Sequence, residues 1–114
     1  YFKGGVVSYA NSAKMNLLNV NKSTLDTYGA VSQEVVEEMA KGAIEAFNTD
    51  CAIAVTGIAG PDGGTAEKPV GTVWICTICN NTMVTKMYSF GKSRENNKRR
   101  SAVMAMVQML RCMA

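Results

Sequence analysis

The amino-acid sequence predicts an α/β domain: a three-layer α/β/α sandwich around a mixed β-sheet. Three observations carry that expectation. Cys51 to Thr56 is a continuous apolar run, as expected of a strand covered on both faces. Helical periodicity flanks it in the chain, over Val36, Ala40, Ala43, Ile44 and Phe47, and again over Ala102, Val103, Met106, Val107 and Leu110. Two strand-like stretches, about Gly71–Cys79 and Thr82–Phe90, meet at Asn80-Asn81, a two-residue turn that favours an antiparallel hairpin. Buried strands alternating with helices call for helices on both faces of the sheet. The hairpin makes that sheet mixed rather than purely parallel.

In chain order, Gly4 to Tyr9 is short, apolar and β-branched, and reads as a first strand. Asn11 then reads as the N-cap of a short helix reaching about Leu18. Ser23-Thr24-Leu25-Asp26 resembles a capping box for one further turn. Ser32 caps the next helix, with Glu34 in the first turn, where the helix dipole favours an anion. A glycine-rich loop, Gly57 to Pro69, follows the apolar strand, and Ser93 caps the last helix. No repeat or low-complexity tract divides the chain, so residues 1–114 read as one domain.

Composition narrows the class. With 47% hydrophobic and 18% charged residues, the chain belongs with globular rather than disordered sequences. Its 114 residues suffice for a real core. No apolar stretch is long enough to span a bilayer and no signal peptide is visible, so the expected location is cytoplasmic, with no membrane partner. The chain opens inside an apolar run, Tyr1-Phe2-Lys3-Gly4-Gly5, which gives the expectation that an N-terminal part of the domain precedes it. The net charge of +3 is mild and sits mostly in Lys98-Arg99-Arg100. Without a stripe of interleaved basic and aromatic residues, nucleic acid is disfavoured as a partner. Self-association is left open.

There is no histidine. That excludes a Ser-His-Asp triad, a Cys-His pair and any His-ligated zinc. Acid–base chemistry near neutral pH therefore falls to a perturbed Lys, Tyr or carboxylate, and neither a metal nor a cofactor is expected. Cys76 and Cys79 have CxxC spacing, but on a strand they point to opposite faces and are read as buried reduced thiols.

Three stretches could carry chemistry. The first is the loop from Thr56 through Gly57, Gly60, Pro61, Gly63 and Gly64 to Pro69. It lacks the Gly-Lys-Ser/Thr ending of a P-loop, and no helix follows at once as a dinucleotide fingerprint requires. It is still too long and too rich in special residues for a bare connection, and it lies where α/β sheets bind ligands, beyond the carboxyl end of a strand. Thr56 brings a hydroxyl to that point. The second is Ser8-Tyr9-Ala10-Asn11-Ser12-Ala13-Lys14. Tyr9 ends the first strand and Lys14 follows one helical turn on, which could bring a phenol and an amine to one rim. A partly buried lysine has its pKa lowered and can act as a general base, although on spacing alone a capped helix with a solvated lysine is the plainer reading. The third is Gly91-Lys92-Ser93-Arg94, where cations stand beside a helix N-terminus; a solvated basic face is the plainer reading.

Together these segments carry a resemblance. Ser8-Tyr9-x-Asn11-x-x-Lys14, Gly29-Ala30-Val31-Ser32, Thr56-Gly57-Ile58-Ala59-Gly60-Pro61 with Gly63-Gly64, and Glu67-Lys68-Pro69-Val70-Gly71 resemble the CinA C-terminal domain family over nearly the whole chain. The resemblance implies a nicotinamide-nucleotide amidase, converting nicotinamide mononucleotide to the nicotinic acid nucleotide and ammonia. It implies a serine nucleophile in a Glu-Ser-x-Thr-Gly-Gly segment some thirty residues before Tyr9, with no counterpart among these residues. Lys14 matches the family's catalytic lysine, Tyr9 the flanking tyrosine and Thr56 the active-site threonine. Arg94 is assigned as the family's arginine, with Lys98 and Arg99 as competitors. Arg94 and the glycines 57, 60, 63 and 64 would hold the nucleotide's phosphate. Two further readings stand beside this one: a domain that binds a nucleotide without turning it over, and a protein associated with competence or DNA damage.

Overall fold

The computed structural model describes residues 2–113. Its elements are α1 (Asn11–Leu18), α2 (Lys22–Tyr28), α3 (Gln33–Phe47), β1 (Cys51–Gly57), β2 (Thr72–Cys79), β3 (Thr82–Ser89) and α4 (Arg94–Met113). β2 is the central strand, in the order β1-β2-β3. Side chains alternate across a strand, so β2 divides between two cores. Cys76 and Ile78, with Ala54 of β1, pack against Val35, Val36, Met39 and Ala40 of α3. Val73 and Ile75 pack on the other face against Ala105 of α4. α1 and α2 pack on α3. Helices therefore cover both faces of the sheet, and the fold is α/β as the sequence predicts.

The sheet's pairing differs from expectation. β1–β2 and β2–β3 are both antiparallel, so among the described residues the sheet is not mixed. Gly4–Tyr9, read from the sequence as a first strand, is not a strand; Gly4, at φ +159°, packs against the Phe47 ring instead of pairing with backbone. The hairpin forms where expected. Asn80 and Asn81 both take positive φ, 50° and 69°, which matches the right-handed twist of the flanking strands.

β1 is an edge strand and is not covered on both faces. α4 lies chiefly over β2, leaving Ile53 and Val55 36% and 38% exposed. Beside them an apolar cavity of about 600 Å³ is lined by Val6, Leu18, Met39, Phe47, Ile53 and Met109, among others. Cys51 and Cys79, opposite each other in the register, are joined as a disulfide. Cys79 is thus paired rather than reduced; Cys76 is a free, buried thiol whose pKa burial raises.

The inward face of α4 also departs from the apolar stripe read in the sequence. Val103, Met106 and Leu110 are 54%, 59% and 64% exposed, and Ala102 is exposed. The buried positions are Asn97, Ala105, Gln108 and Met109. Apolar periodicity misplaced the face because a glutamine lies at its centre. Gln108 Nε2 donates to the carbonyls of Val84 (2.9 Å) and Ile75 (3.1 Å), while its Oε1 accepts from the Tyr88 hydroxyl at 2.9 Å. A buried amide is tolerated when hydrogen-bonded in this way.

Caps follow local chemistry with two exceptions. Ser32 Oγ accepts from the Val35 N–H at 3.2 Å, as its sequence position predicts, and Ser93 Oγ accepts from Asn96 N–H at 3.4 Å. α1, however, is preceded by Ala10 as N-cap, with Asn11 already helical. At α2 the side-chain acceptor comes from another helix: Glu38 of α3 accepts from the Asn21 N–H (2.8 Å) and the Thr24 hydroxyl (2.6 Å). A carboxylate there also suits the helix dipole. α1 reaches α3 through Gly42, where an added Cβ would collide with the Leu18 carbonyl oxygen.

Candidate active site

Lys14 sits in the middle of α1, and because α1 packs on α3 its side chain is enclosed rather than solvated. The residue is 6% exposed. Its Nζ donates to the Ser8 carbonyl at 2.6 Å, drawing the segment before α1 back over the helix. Desolvation penalises the charged amine, so burial holds the Lys14 pKa below the ordinary lysine value.

Thr56 lies near the end of β1 and is 8% exposed. Its register partner is Trp74, which puts it on the α3 face of the sheet, the face on which α1 also packs. Lys14 and Thr56 therefore share one side of the sheet. The Thr56 hydroxyl donates to the Ala30 carbonyl at 2.8 Å, tying the strand end to the Gly29–Ser32 turn before α3. Lys68, at the far end of the glycine-rich loop, donates to the Tyr28 carbonyl next to that turn. Strand end, turn and loop are thus bound into one assembly.

Tyr9 is placed differently from the sequence expectation. No strand ends at it, and it is 86% exposed. The backbone before α1 leaves its ring in solvent rather than beside Lys14.

The glycine-rich loop leaves β1 with Ile58 N–H bonded to the Thr72 carbonyl and Gly71 N–H bonded to the Ile58 carbonyl. Gly60 has φ +99°, and a Cβ there would come 2.7 Å from Val70 Cγ1. Its conformation and its space both call for glycine. Beyond it the loop frames a cavity of about 550 Å³ lined by Pro61, Gly63, Gly64, Thr65, Val70 and Lys92, among others. Gly57 and Gly60 are not among its lining residues; nor are Tyr9, Lys14 and Thr56, so the structure does not bring all the candidate residues into one cavity.

Arg94, the first residue of α4, donates from Nη1 to the Gly60 carbonyl at 3.0 Å. Lys98 and Arg99 stand exposed further along the helix. Asn97 was not singled out in the sequence, yet it is 1% exposed and donates to the carbonyls of both Ala59 and Gly91. A short polar side chain inside a helix, where its intrinsic preference is weak, was the signal that could have found it. No cluster of His, Cys, Asp and Glu among the described residues could hold a metal ion. No helix among them is long and apolar enough to cross a membrane.

The sequence and the fold both have counterparts among known proteins. The family model described as "CinA C-terminal domain" matches residues 1–113. The chain is 51% identical over 106 residues to a "CinA-like protein" of Thermosipho melanesiensis, covering 91% of this chain and 26% of that protein. It is 48% identical over 112 residues to the "Nicotinamide-nucleotide amidohydrolase PncC" of Enterobacter agglomerans, covering 97% of this chain and 68% of that one. Among solved structures, the competence/damage inducible protein CihA from Agrobacterium tumefaciens superposes with a TM-score of 0.91 at 37% identity, over 94% of this chain and 66% of that one. The chain thus spans about a quarter of the length of the CinA-like relatives, 26% and 23% for two of them.

Proposed function

This chain belongs to the CinA C-terminal domain family, and we propose that it is the greater part of an amidase domain acting on nicotinamide mononucleotide. The observation that carries the proposal is Lys14. A lysine amine buried on the same side of the sheet as Thr56, with its pKa lowered, is the kind of base a histidine-free site needs. The amidohydrolase name of a relative 48% identical over nearly the whole chain supports the reaction class.

In the proposed reaction a serine hydroxyl, supplied from the Glu-Ser-x-Thr-Gly-Gly segment of the family, attacks the carboxamide carbon. Neutral Lys14 accepts the hydroxyl proton and returns it to the leaving nitrogen, which departs as ammonia. Water then attacks the acyl-enzyme, releasing the nicotinic acid nucleotide and restoring the serine. Loop N–H groups steady the carbonyl oxygen as it gains charge, while Thr56 Oγ1, its proton given to the Ala30 carbonyl, accepts from the substrate amide N–H and orients it. Arg94 and the loop glycines beyond Gly60, Gly63 and Gly64, hold the phosphate. Tyr9, exposed in this structure, serves only if the segment before α1 folds inward over Lys14. The substrate is a small nucleotide, and the chemistry calls for neither metal nor cofactor. A cytoplasmic location fits such salvage chemistry.

Ammonia release from nicotinamide mononucleotide by the full-length protein, with a chelator present and no added metal, tests the reading. Saturable binding of the nucleotide with no ammonia formed would leave a binding domain in its place.

A further inference from the structure

Asn97 stands at the junction of three segments that are distant in sequence. Its Nδ2 donates to the Ala59 carbonyl at 2.9 Å and to the Gly91 carbonyl at 2.7 Å. Both partners are acceptors, so the orientation of the amide is fixed by its surroundings. Its Oδ1 is buried without a partner among the described residues. A buried acceptor left unpaired is costly; an apolar side chain would avoid that cost, so what the position keeps is the pair of donors.

Those donors set more than two carbonyls. In a trans peptide the C=O and the following N–H point in opposite directions. Turning the Ala59 carbonyl toward Asn97 therefore turns the Gly60 N–H away from it. The Ala59–Gly60 bond is trans, whereas the cis bond is the next one, Gly60-Pro61. The Gly60 N–H has no protein acceptor among the described residues, although Gly60 itself is buried. Arg94 holds the adjoining carbonyl, Gly60 O, at 3.0 Å, but that peptide leads into Pro61, which has no N–H to aim. The first turn of α4 thus grips two successive carbonyls of the loop, and only the grip by Asn97 orients a donor.

We infer that Asn97 is a positioning residue that aims the Gly60 N–H at the carbonyl oxygen of the substrate amide. The inference rests on the amide-hydrolysis reading and names the loop donor in it. As the serine oxygen adds to the carbonyl carbon, the carbonyl π pair moves onto oxygen, and the Gly60 N–H bonds that oxyanion more strongly than the neutral carbonyl. A donor that strengthens in this way raises kcat and leaves substrate binding nearly untouched.

The test is Asn97→Asp in the full-length protein. The substitution keeps the shape and removes both donors while the new carboxyl is ionised. The expected result is a loss of about 10²–10³-fold in kcat, the size of one oxyanion donor, with KM changed by no more than roughly threefold. Protonating the introduced carboxyl restores one donor, so the variant's kcat deficit relative to the unmutated protein at the same pH should narrow as pH falls. A wild-type kcat per folded molecule, or a loss carried by KM, overturns the inference. A second measurement needs no mutation and no turnover: the Gly60 amide resonance should move when nicotinamide mononucleotide is added, and a resonance that stays put at saturation overturns the inference as well. Absence of ammonia from the unmutated protein would sink the amidase reading alone, because the Gly60 resonance still decides whether the donor meets the ligand.

Discussion

The Lys14 amine donates to the carbonyl of Ser8, 2.6 Å away and six residues earlier, and this contact closes the start of α1 over the amine. A lysine in that position has lost most of its water and retains a single protein acceptor. Replacing it by Met keeps the bulk and removes the base. The expected loss in ammonia release is about 10²–10⁴-fold. Lys14→Arg should fail nearly as badly, because a guanidinium stays protonated and cannot take a proton from serine. Full turnover by the arginine variant would remove the lysine base from the mechanism and leave the family likeness to the fold alone.

The lowered pKa of Lys14 gives stability a pH dependence with a definite sign. The folded lysine loses its proton at a lower pH than the unfolded one. Between those two values the unfolded chain binds more protons, so stability rises with pH across that window. Below it, the buried charge is carried at full cost. Urea midpoints taken from neutral pH up to the ordinary lysine value should show this rise in the unmutated protein and lack it in Lys14→Met. The same lowering places the ascending limb of kcat/KM below the ordinary lysine value; a limb at that value would show that the base is not desolvated.

Arg94→Ala should act mainly on binding. A cation that holds the phosphate equally in ground and transition states lowers KM without raising kcat, so its removal should raise KM and spare kcat. Steady-state kinetics on nicotinamide mononucleotide separate the two constants. An equal fall in kcat and kcat/KM would move Arg94 from the phosphate to the reacting group.

Gly42→Ala tests the packing of α1 on α3. Helix propensity alone favours alanine by about 1 kcal/mol. The added Cβ, however, meets the backbone of Leu18 rather than the end of a flexible side chain. Overpacking of that kind costs about 1–3 kcal/mol, so the variant should be less stable than the parent in urea. A raised midpoint would show that the end of α1 moves aside freely.

Much of the fold was legible because it rests on local chemistry. Ser32 caps α3, Asn80-Asn81 turns the hairpin, and the apolar run at Cys51 makes a strand, each through interactions within a few residues. What was missed depends on long-range partners. Glu38 serves α2 from another helix, and Gln108 finds its acceptors on two strands, which moved the buried face of α4 away from its apolar stripe. Gly4–Tyr9 has strand composition but no backbone partner among the described residues, and composition cannot supply one. For the candidate site, the family resemblance pointed to Lys14 and Thr56, and to Arg94 with Lys98 and Arg99 as competitors. It did not point to Asn97, whose role consists entirely of two carbonyls 38 and 6 residues away.

The register that pairs Thr56 with Trp74 has an optical consequence. Trp74 is the chain's single tryptophan, and as a direct cross-strand partner it lies on the same face as the Thr56 hydroxyl. Its indole emission is therefore a native probe of that end of the sheet, the one indole among these 114 residues. Quenching or a spectral shift on adding a nucleotide would report occupancy beside Thr56 directly, at equilibrium, in a protein that carries no label.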